Sequence, residues 1–119
     1  MTKLTEFTVH PTATPTPASE RTRLLENPQF GRVFSDHMVT IRYSEGQGWH
    51  DAKVDARGPI PMDPASAVLH YAQEIFEGMK AYKTGDGGVC LFRPLENARR
   101  FQRSAERMAM PIMPEETFL

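Results

Sequence analysis

The chain has 119 residues, of which 39% are hydrophobic and 24% are charged, and its formal net charge is −1. This length suits one modest domain, and the nearly neutral charge offers no general attraction to nucleic acid or to an anionic membrane surface. Any binding site for an anion must therefore be local. The single cysteine, Cys90, excludes an internal disulfide. A single cysteine also fits a protein of a reducing compartment. The apolar neighbours of Cys90 predict that its side chain is buried.

Residues 1–27 have the composition of a flexible N-terminal segment. Thr, Pro, Ala and Ser predominate from Thr8 to Ser19, and such a segment buries too little to fold alone. The sequence is compatible with a short helix over Arg21–Asn27, which ends before Pro28. No stretch is apolar enough to span a bilayer, and the N-terminus lacks the apolar core of a secretory signal. We therefore expect a cytoplasmic protein whose folded part occupies residues 28–119.

Two hairpins are predicted in that folded part. Alternating, β-branched residues predict a strand over Met38–Tyr43 and a second over Trp49–Val54, joined by the turn sequence SEGQG. The same signals predict strands over Met79–Lys83 and Val89–Phe92, joined by TGDGG.

Helices are predicted between and after the hairpins. Asp63, as the N-cap, begins a helix over Ala65–Phe76 that Gly78 ends. A longer helix begins at Pro94 and is stopped by Pro111 and Pro114, and its apolar face includes Leu95, Ala98, Ala105 and Met108. The sequence PEETFL is typical of the first turn of another helix, which is cut off at Leu119. The pattern predicts an α+β fold, in which an antiparallel sheet of hairpins packs with helices.

Five arginines cluster within fifteen residues of the long helix. A guanidinium group is the side chain best matched to bidentate binding of phosphate or carboxylate. On spacing alone, however, the favoured interpretation is a solvated basic face paired with Glu96, Glu106 and Glu115. The five are Arg93, Arg99, Arg100, Arg103 and Arg107.

Four other side chains have a structural and a functional interpretation. On residue type alone, Tyr71 and Phe76 are expected to be core aromatics and His70 a structural histidine. Lys80 is expected to be an exposed charge. Its alternative role is an amine that forms a Schiff base, which would require burial or a cationic neighbour.

Longer strings of residues carry a resemblance to a known family. They are FGRVFSDHMV (Phe30–Val39), GW (Gly48–Trp49), DPASAVLHYAQEIFEGMKAY (Asp63–Tyr82) and LFRPLENARRFQRSAERMAMP (Leu91–Pro111). Together they resemble the branched-chain amino-acid aminotransferases, which belong to fold type IV of the pyridoxal-phosphate enzymes. The resemblance runs from about Phe30 to Leu119, and it implies the small N-terminal domain of that fold.

The resemblance implies roles for four residues. Arg100, which follows Asn97 by three, matches the arginine that grips the phosphate of pyridoxal 5'-phosphate. Tyr71, Phe76 and Phe30 match residues that line the pocket for the aliphatic side chain of the substrate. For the other four arginines and for His70, the structural interpretation is kept.

The resemblance also implies a reaction and its partners. The family transfers the amino group of leucine, isoleucine or valine to 2-oxoglutarate in branched-chain amino-acid biosynthesis, and it works as homodimers or higher homo-oligomers. The family's catalytic lysine lies beyond the position of Leu119, and Lys80 matches a position with no cofactor role. We therefore expect no catalytic residue and no metal ligand in this chain, and no activity from the chain alone.

Two alternatives stay open. The chain could be a non-catalytic fragment that binds phosphate or pairs with other chains, which the missing lysine favours. It could also belong to another fold type IV enzyme, such as a D-amino-acid aminotransferase or an aminodeoxychorismate lyase. The FGRVFSDHM and FEGMKAY strings favour the branched-chain group.

Overall fold

The computed structural model describes residues 6–119. These residues form two compact units, which we call the first unit (the described residues up to Pro61) and the second unit (Met62–Leu119). Both units contain helices and strands, so the fold is a small α+β arrangement, as expected.

The first unit contains a three-stranded sheet in the order β1-β3-β2. The predicted hairpin is confirmed: β2 (His37–Ser44) pairs in antiparallel fashion with β3 (Gly48–Ala56) across the Ser44–Gly48 turn. A short strand that was not predicted, β1 (Thr8–Val9), runs parallel to β3 beside Lys53 and Val54. The expectation of a purely antiparallel sheet is therefore wrong for this edge.

The Pro/Thr-rich segment after β1 is held to the sheet by hydrogen bonds. The backbone N–H of His10 donates to the carbonyl of Val54 over 2.9 Å, and that of Thr12 donates to His37 Nε2 over 2.9 Å. Thr16 donates to Asp36 through its backbone N–H over 3.0 Å and through its hydroxyl over 2.5 Å. These hydrogen bonds attach the segment to the sheet although it can bury little apolar area. The mobility of the segment stays a prediction.

Two further features belong to this end of the first unit. The hydroxyl and backbone hydrogen bonds from Thr16 lower the pKa of Asp36, because they stabilise its ionised form. The predicted short helix is present as α1 (Ala18–Glu26), which begins three residues earlier than expected. Glu20 and Arg23 form an ion pair on its exposed surface.

A β-bulge shapes the hairpin of the first unit. The register changes between the pairs Thr40↔Lys53 and Arg42↔His50, so β3 has one residue more than β2 between them. Asp51 lies in this extra stretch at φ 54, a left-handed conformation that Asp tolerates better than most residues. Its carboxylate forms an ion pair with the ammonium group of Lys53 at 2.8 Å. This contact lowers the pKa of Asp51 because it stabilises the ionised carboxylate.

The second unit contains one hairpin and three helices. The hairpin consists of β4 (Ala81–Lys83) and β5 (Val89–Leu91), which confirms the second predicted hairpin. The helices are α2 (Ala67–Tyr71), α3 (Pro94–Arg107) and α4 (Glu115–Phe118). The predictions for α3 and for the final helical turn are confirmed.

The prediction for α2 was wrong at both ends. Asp63 does not cap the helix: its Oδ1 accepts the N–H of Ala65 over 2.7 Å in a turn that precedes it. At the other end Ala72 adopts the left-handed conformation, with φ 48 and ψ 38, and stops the helix six residues before Gly78. Directly afterwards the amide of Gln73 donates to the carbonyl of Met108 over 2.9 Å. This tertiary hydrogen bond favours a non-helical backbone where the apolar spacing predicted a helix.

The left-handed Ala72 leads to a prediction about stability. Ala72→Gly should raise the free energy of unfolding by about 0.5–1 kcal/mol, because glycine has no Cβ to strain this conformation. Urea denaturation followed by circular dichroism would measure the change. Ala65→Gly is the matched control, since Ala65 is not at positive φ and should only lose stability. Equal changes in both variants would contradict the prediction.

Side-chain packing in the second unit centres on α3. Ala98 and Ala105 are buried, as the predicted apolar face of this helix required. The rings of Phe101 and Phe118 lie 5.3 Å apart and join α3 to α4. Cys90 is exposed in β5, so the expectation that it is buried was wrong.

Candidate functional site

The candidate site is built on Arg100 in α3. Its guanidinium group forms a bidentate ion pair with Glu77, in the extended stretch between α2 and β4. Arg100 Nε donates to Glu77 Oε2 over 2.6 Å, and Nη2 donates to Oε1. A fork of this kind fixes the orientation of both planar groups.

Glu77 is enclosed although Arg100 is open. The Glu77 side chain is 4% exposed, whereas that of Arg100 is 62% exposed. Glu77 Oε1 also accepts the N–H of Gly78 over 2.9 Å and Asn97 Nδ2 over 3.1 Å. The Asn97 amide in turn donates to the carbonyl of Gly78 over 2.9 Å, which ties α3 to the stretch before β4.

These contacts decide the charges of the pair. The hydrogen bonds from Arg100, followed by those from Gly78 and Asn97, lower the pKa of Glu77 to about 2 against the opposing effect of burial. Glu77 in turn raises the pKa of Arg100. Both groups are therefore fully charged at neutral pH.

A groove of about 430 Å³ lies along α3 beside this ion pair. Its basic lining residues recur at positions i, i+3 and i+7 of one helix face, and a hydroxyl lies between them. Within residues 6–119, no ion pair or hydrogen bond engages the guanidinium groups of Arg103 and Arg107. Its polar lining is Arg100, Arg103, Ser104 and Arg107, and its apolar lining includes Ile75 and Phe76.

The remaining arginines near α3 have structural partners. Arg99 contacts Glu96 at 3.1 Å and Glu115 at 3.2 Å. Arg93 lies 3.9 Å from Glu96. The structural interpretation therefore describes these two arginines well. It describes Arg103 and Arg107 less well, since both line the groove instead of pairing with Glu106.

Two of the four residues singled out by the resemblance lie together in the second unit. Arg100 and Phe76 line the same groove, and the Phe76 ring is 92% exposed there. Tyr71, the last residue of α2, is exposed and is not part of the groove lining. Phe30 is exposed in the first unit. None of these three aromatics packs in a core, and their roles at a substrate pocket stay predictions.

The other two candidates, His70 and Lys80, have contacts that fit structural roles. The His70 ring nitrogen Nε2 lies 2.5 Å from the carbonyl of Pro64, a contact that fits a structural histidine. Lys80 is exposed, and its ammonium group lies 5.4 Å from the centre of the Tyr82 ring. This contact stabilises the cation and not the neutral amine that a nucleophile requires.

Sequence analysis missed Glu77 and the role of Asn97. Each stands inside a string that carried the resemblance, beside the residues that were singled out. The pair Glu77–Arg100 joins residues 23 positions apart, which no helical or strand period connects. The available signal was a lone carboxylate between an aromatic residue and a glycine.

The lowered pKa of Glu77 predicts a pH dependence of stability. Because the pKa is depressed in the folded state, the ion pair stabilises the second unit fully above the ordinary value of 4.5. That contribution should be lost as the pH falls from 4.5 towards 2. Urea denaturation at a series of pH values, followed by the helical circular dichroism signal, measures it.

Other carboxyl groups also have lowered pKa values, among them Asp36, Asp51 and Asp86, so their protonation also changes the stability in acid. The informative quantity is therefore the difference between the parent chain and Glu77→Gln. This difference should shrink as the pH falls through the window. A difference that stays constant from pH 6 to pH 2 would show that the ion pair does not stabilise the fold.

No helix within residues 6–119 is long and apolar enough to cross a membrane. In the same range, no group of three or more His, Cys, Asp or Glu side chains is arranged to hold a metal ion.

Several known proteins are similar to this chain. No protein-family model matches the chain. A probable branched-chain-amino-acid aminotransferase of Streptomyces coelicolor is 55% identical over 92% of the chain. The branched-chain-amino-acid aminotransferase of Mycolicibacterium smegmatis is 51% identical over 96% of the chain, and branched-chain-amino-acid aminotransferase 2 of Bacillus subtilis is 42% identical over 100%.

The chain spans 30% of the length of the first relative and 31% of the other two. It corresponds to their N-terminal part. These matches place the chain in the branched-chain-amino-acid aminotransferase family, as the counterpart of the N-terminal part of those proteins.

Proposed function

We propose that this chain supplies the cofactor-phosphate site of a pyridoxal-phosphate-dependent aminotransferase of fold type IV. The reaction is transfer of the amino group of leucine, isoleucine or valine to 2-oxoglutarate. The names of the relatives support the family and the substrates. The observation that carries the proposal is the basic groove along α3, which is lined by two of the residues that the resemblance singles out, Arg100 and Phe76.

The groove fits a phosphate group. A phosphate dianion requires donors that are always protonated, and guanidinium is such a donor. Arg100 uses Nε and Nη2 for Glu77, while Nη1 makes no hydrogen bond within the described range. The Ser104 hydroxyl lines the same groove and can donate a further hydrogen bond.

The charge of the groove comes mainly from the two lining arginines that form no ion pair with any described residue. Glu77 offsets the charge of Arg100, so this pair contributes orientation and little net field. Arg103 and Arg107, which line the groove one and two helical turns further along α3, supply the positive charge that attracts a dianion.

The exposed ring of Phe76 provides an apolar surface next to the phosphate site. A rigid aromatic surface accepts leucine, isoleucine and valine side chains and offers no partner to a charged one. An apolar pocket separates substrates that differ by one methylene by about 1–3 kcal/mol, so a range of branched substrates is expected. Tyr71, in the same unit, is proposed as a further wall of this surface, and the role of Phe30 as a substrate contact stays a proposal that rests on the resemblance.

When bound, pyridoxal phosphate supplies the electron sink for deprotonation at the substrate Cα atom. The residues of this chain bind its phosphate through Arg100 and contact the substrate side chain. We expect the lysine implied by the resemblance in the part of the full-length form that follows the position of Leu119. We further propose that the full-length form, in which this chain continues as its relatives do, is a cytoplasmic homodimer or higher oligomer.

A second candidate function is phosphate binding without catalysis. The groove itself favours it, because three guanidinium groups can hold a phosphate without any lysine. Another fold type IV activity, such as that of a D-amino-acid aminotransferase, would use the same groove with a different substrate pocket.

The test compares pyridoxal phosphate, pyridoxal and inorganic phosphate as ligands of the full-length form, followed by a coupled assay with leucine and 2-oxoglutarate. We expect tight binding that depends on the phosphate group, and turnover of all three branched-chain amino acids. Equal affinity for pyridoxal phosphate and pyridoxal would overturn the cofactor assignment. Phosphate-dependent binding with turnover of D-amino acids alone, or with no turnover, would establish one of the alternatives.

A further inference from the structure

Glu77 is held more firmly than an ordinary surface carboxylate. Its side chain is 4% exposed and accepts hydrogen bonds from Arg100, from the Gly78 backbone and from Asn97. Asn97 and Arg100 both belong to α3, three residues apart on one face. The carboxylate therefore occupies one fixed position relative to this helix.

The planar guanidinium group transmits that position. Its five N–H donors form a rigid fork, so holding the edge formed by Nε and Nη2 also fixes the direction of Nη1. Arg100 is 62% exposed and lines the groove, which means that no packing against other side chains encloses it. Without Glu77, the long side chain would sample several rotamers.

We propose that Glu77, itself oriented by Asn97 and the Gly78 backbone, is the positioning residue that holds Arg100 in the orientation that grips a phosphate group in the groove. This inference rests on the proposed function. It assigns to Glu77 a role that acts through Arg100 and not by contact with the ligand.

The negative charge of Glu77 has an opposite effect that must be separated. A carboxylate near the groove repels a dianion, so its removal could strengthen binding. Because Glu77 is enclosed, salt screens its repulsion less than it screens the repulsion between exposed charges, whereas the orientation of a side chain does not depend on salt. The proposal therefore requires the loss of orientation to outweigh the relief of repulsion at every salt concentration tested.

The experiment titrates the full-length form and its Glu77→Gln variant with pyridoxal phosphate and with pyridoxal. Glutamine keeps the size of the side chain and an oxygen acceptor, but it loses the charge and one acceptor of the fork. We expect roughly three- to tenfold weaker binding of pyridoxal phosphate, as follows from freeing one long side chain, with pyridoxal affinity unchanged. The loss should persist from 0.15 to 0.5 M salt.

Two controls make the result specific. Glu106→Gln removes an exposed carboxylate from α3 that forms no ion pair within residues 6–119, and it should leave both affinities unchanged. The double variant Glu77→Gln with Arg100→Ala should bind no more weakly than Arg100→Ala alone, because a positioning residue has no effect once its partner is gone.

The outcomes separate this inference from the proposed function. If Arg100→Ala itself leaves pyridoxal phosphate affinity unchanged, the cofactor assignment fails and the inference fails with it. If Arg100→Ala weakens binding while Glu77→Gln keeps or increases it, the inference alone is overturned. Equal losses of pyridoxal phosphate and pyridoxal affinity in Glu77→Gln would show a merely structural role and would also overturn it.

A measurement on the protein with Glu77 unchanged covers the case in which the Glu77→Gln variant does not fold. The Nε–H proton of Arg100, assigned by comparison with Arg100→Lys, should exchange slowly in nuclear magnetic resonance spectra and stay slow after pyridoxal phosphate is added. Fast exchange before addition, or release of this proton on addition, would show that Glu77 does not hold Arg100 in the bound state.

Discussion

Arg100→Ala should weaken the affinity of the full-length form for pyridoxal phosphate by about ten- to a hundredfold, the effect of losing charge-assisted hydrogen bonds. The structure adds a second cause for this loss. Removal of the guanidinium leaves Glu77 as an unpaired carboxylate beside the groove, where it repels the phosphate. Titration followed by the absorbance of the bound cofactor measures the change.

Two matched variants test whether the effect is specific. Arg100→Lys should restore binding only in part, because an ammonium group keeps the attraction but cannot form the fork with Glu77. Arg99→Ala removes the same charge from the neighbouring position, where the side chain pairs with Glu96 and Glu115 and does not line the groove. Equal losses at Arg99 and Arg100 would indicate a diffuse basic surface and contradict a specific phosphate site.

The purified 119-residue chain should show no aminotransferase activity above the background of free pyridoxal phosphate. The resemblance implies that the catalytic lysine of the family lies outside this stretch, and Lys80 is exposed beside Tyr82. Burial therefore does not activate the amine of Lys80. A coupled assay of leucine with 2-oxoglutarate, with the cofactor in excess, measures the activity.

The variant Lys80→Ala serves as the control for that assay. Parent chain and variant should be indistinguishable from the cofactor without protein. Turnover by the parent chain that disappears in Lys80→Ala would show that Lys80 is the catalytic amine and not merely an exposed charge.

Sequence alone predicted the elements whose signals are local. The helix α3 was expected because proline at its first position, helical spacing and later prolines all agree, and its buried Ala98 and Ala105 follow from that spacing. Both hairpins were expected because their turns contain glycines and their strands alternate. Arg100 could be proposed for phosphate because the LFRPLENARR string carries a specific resemblance, and its place in a basic groove agrees with that role.

What depended on distant partners could not be predicted in this way. Apolar spacing continues past Ala72, but the hydrogen bond between Gln73 and Met108 is made 35 residues away and ends α2 early. The same holds for β1, which pairs with a strand more than forty residues along the chain.

The same distinction between local signals and distant partners applies to the residues of the candidate site. The sequence by itself determined which side chains are cationic, which helix carries them and which of them the family resemblance singles out. Only the tertiary structure decided that Glu77 and Asn97 hold Arg100, and that Arg103 and Arg107 line its groove while Arg99 does not. The physical reason is that a hydrogen bond depends on the positions of two groups in space, whereas a single sequence records their types and their order.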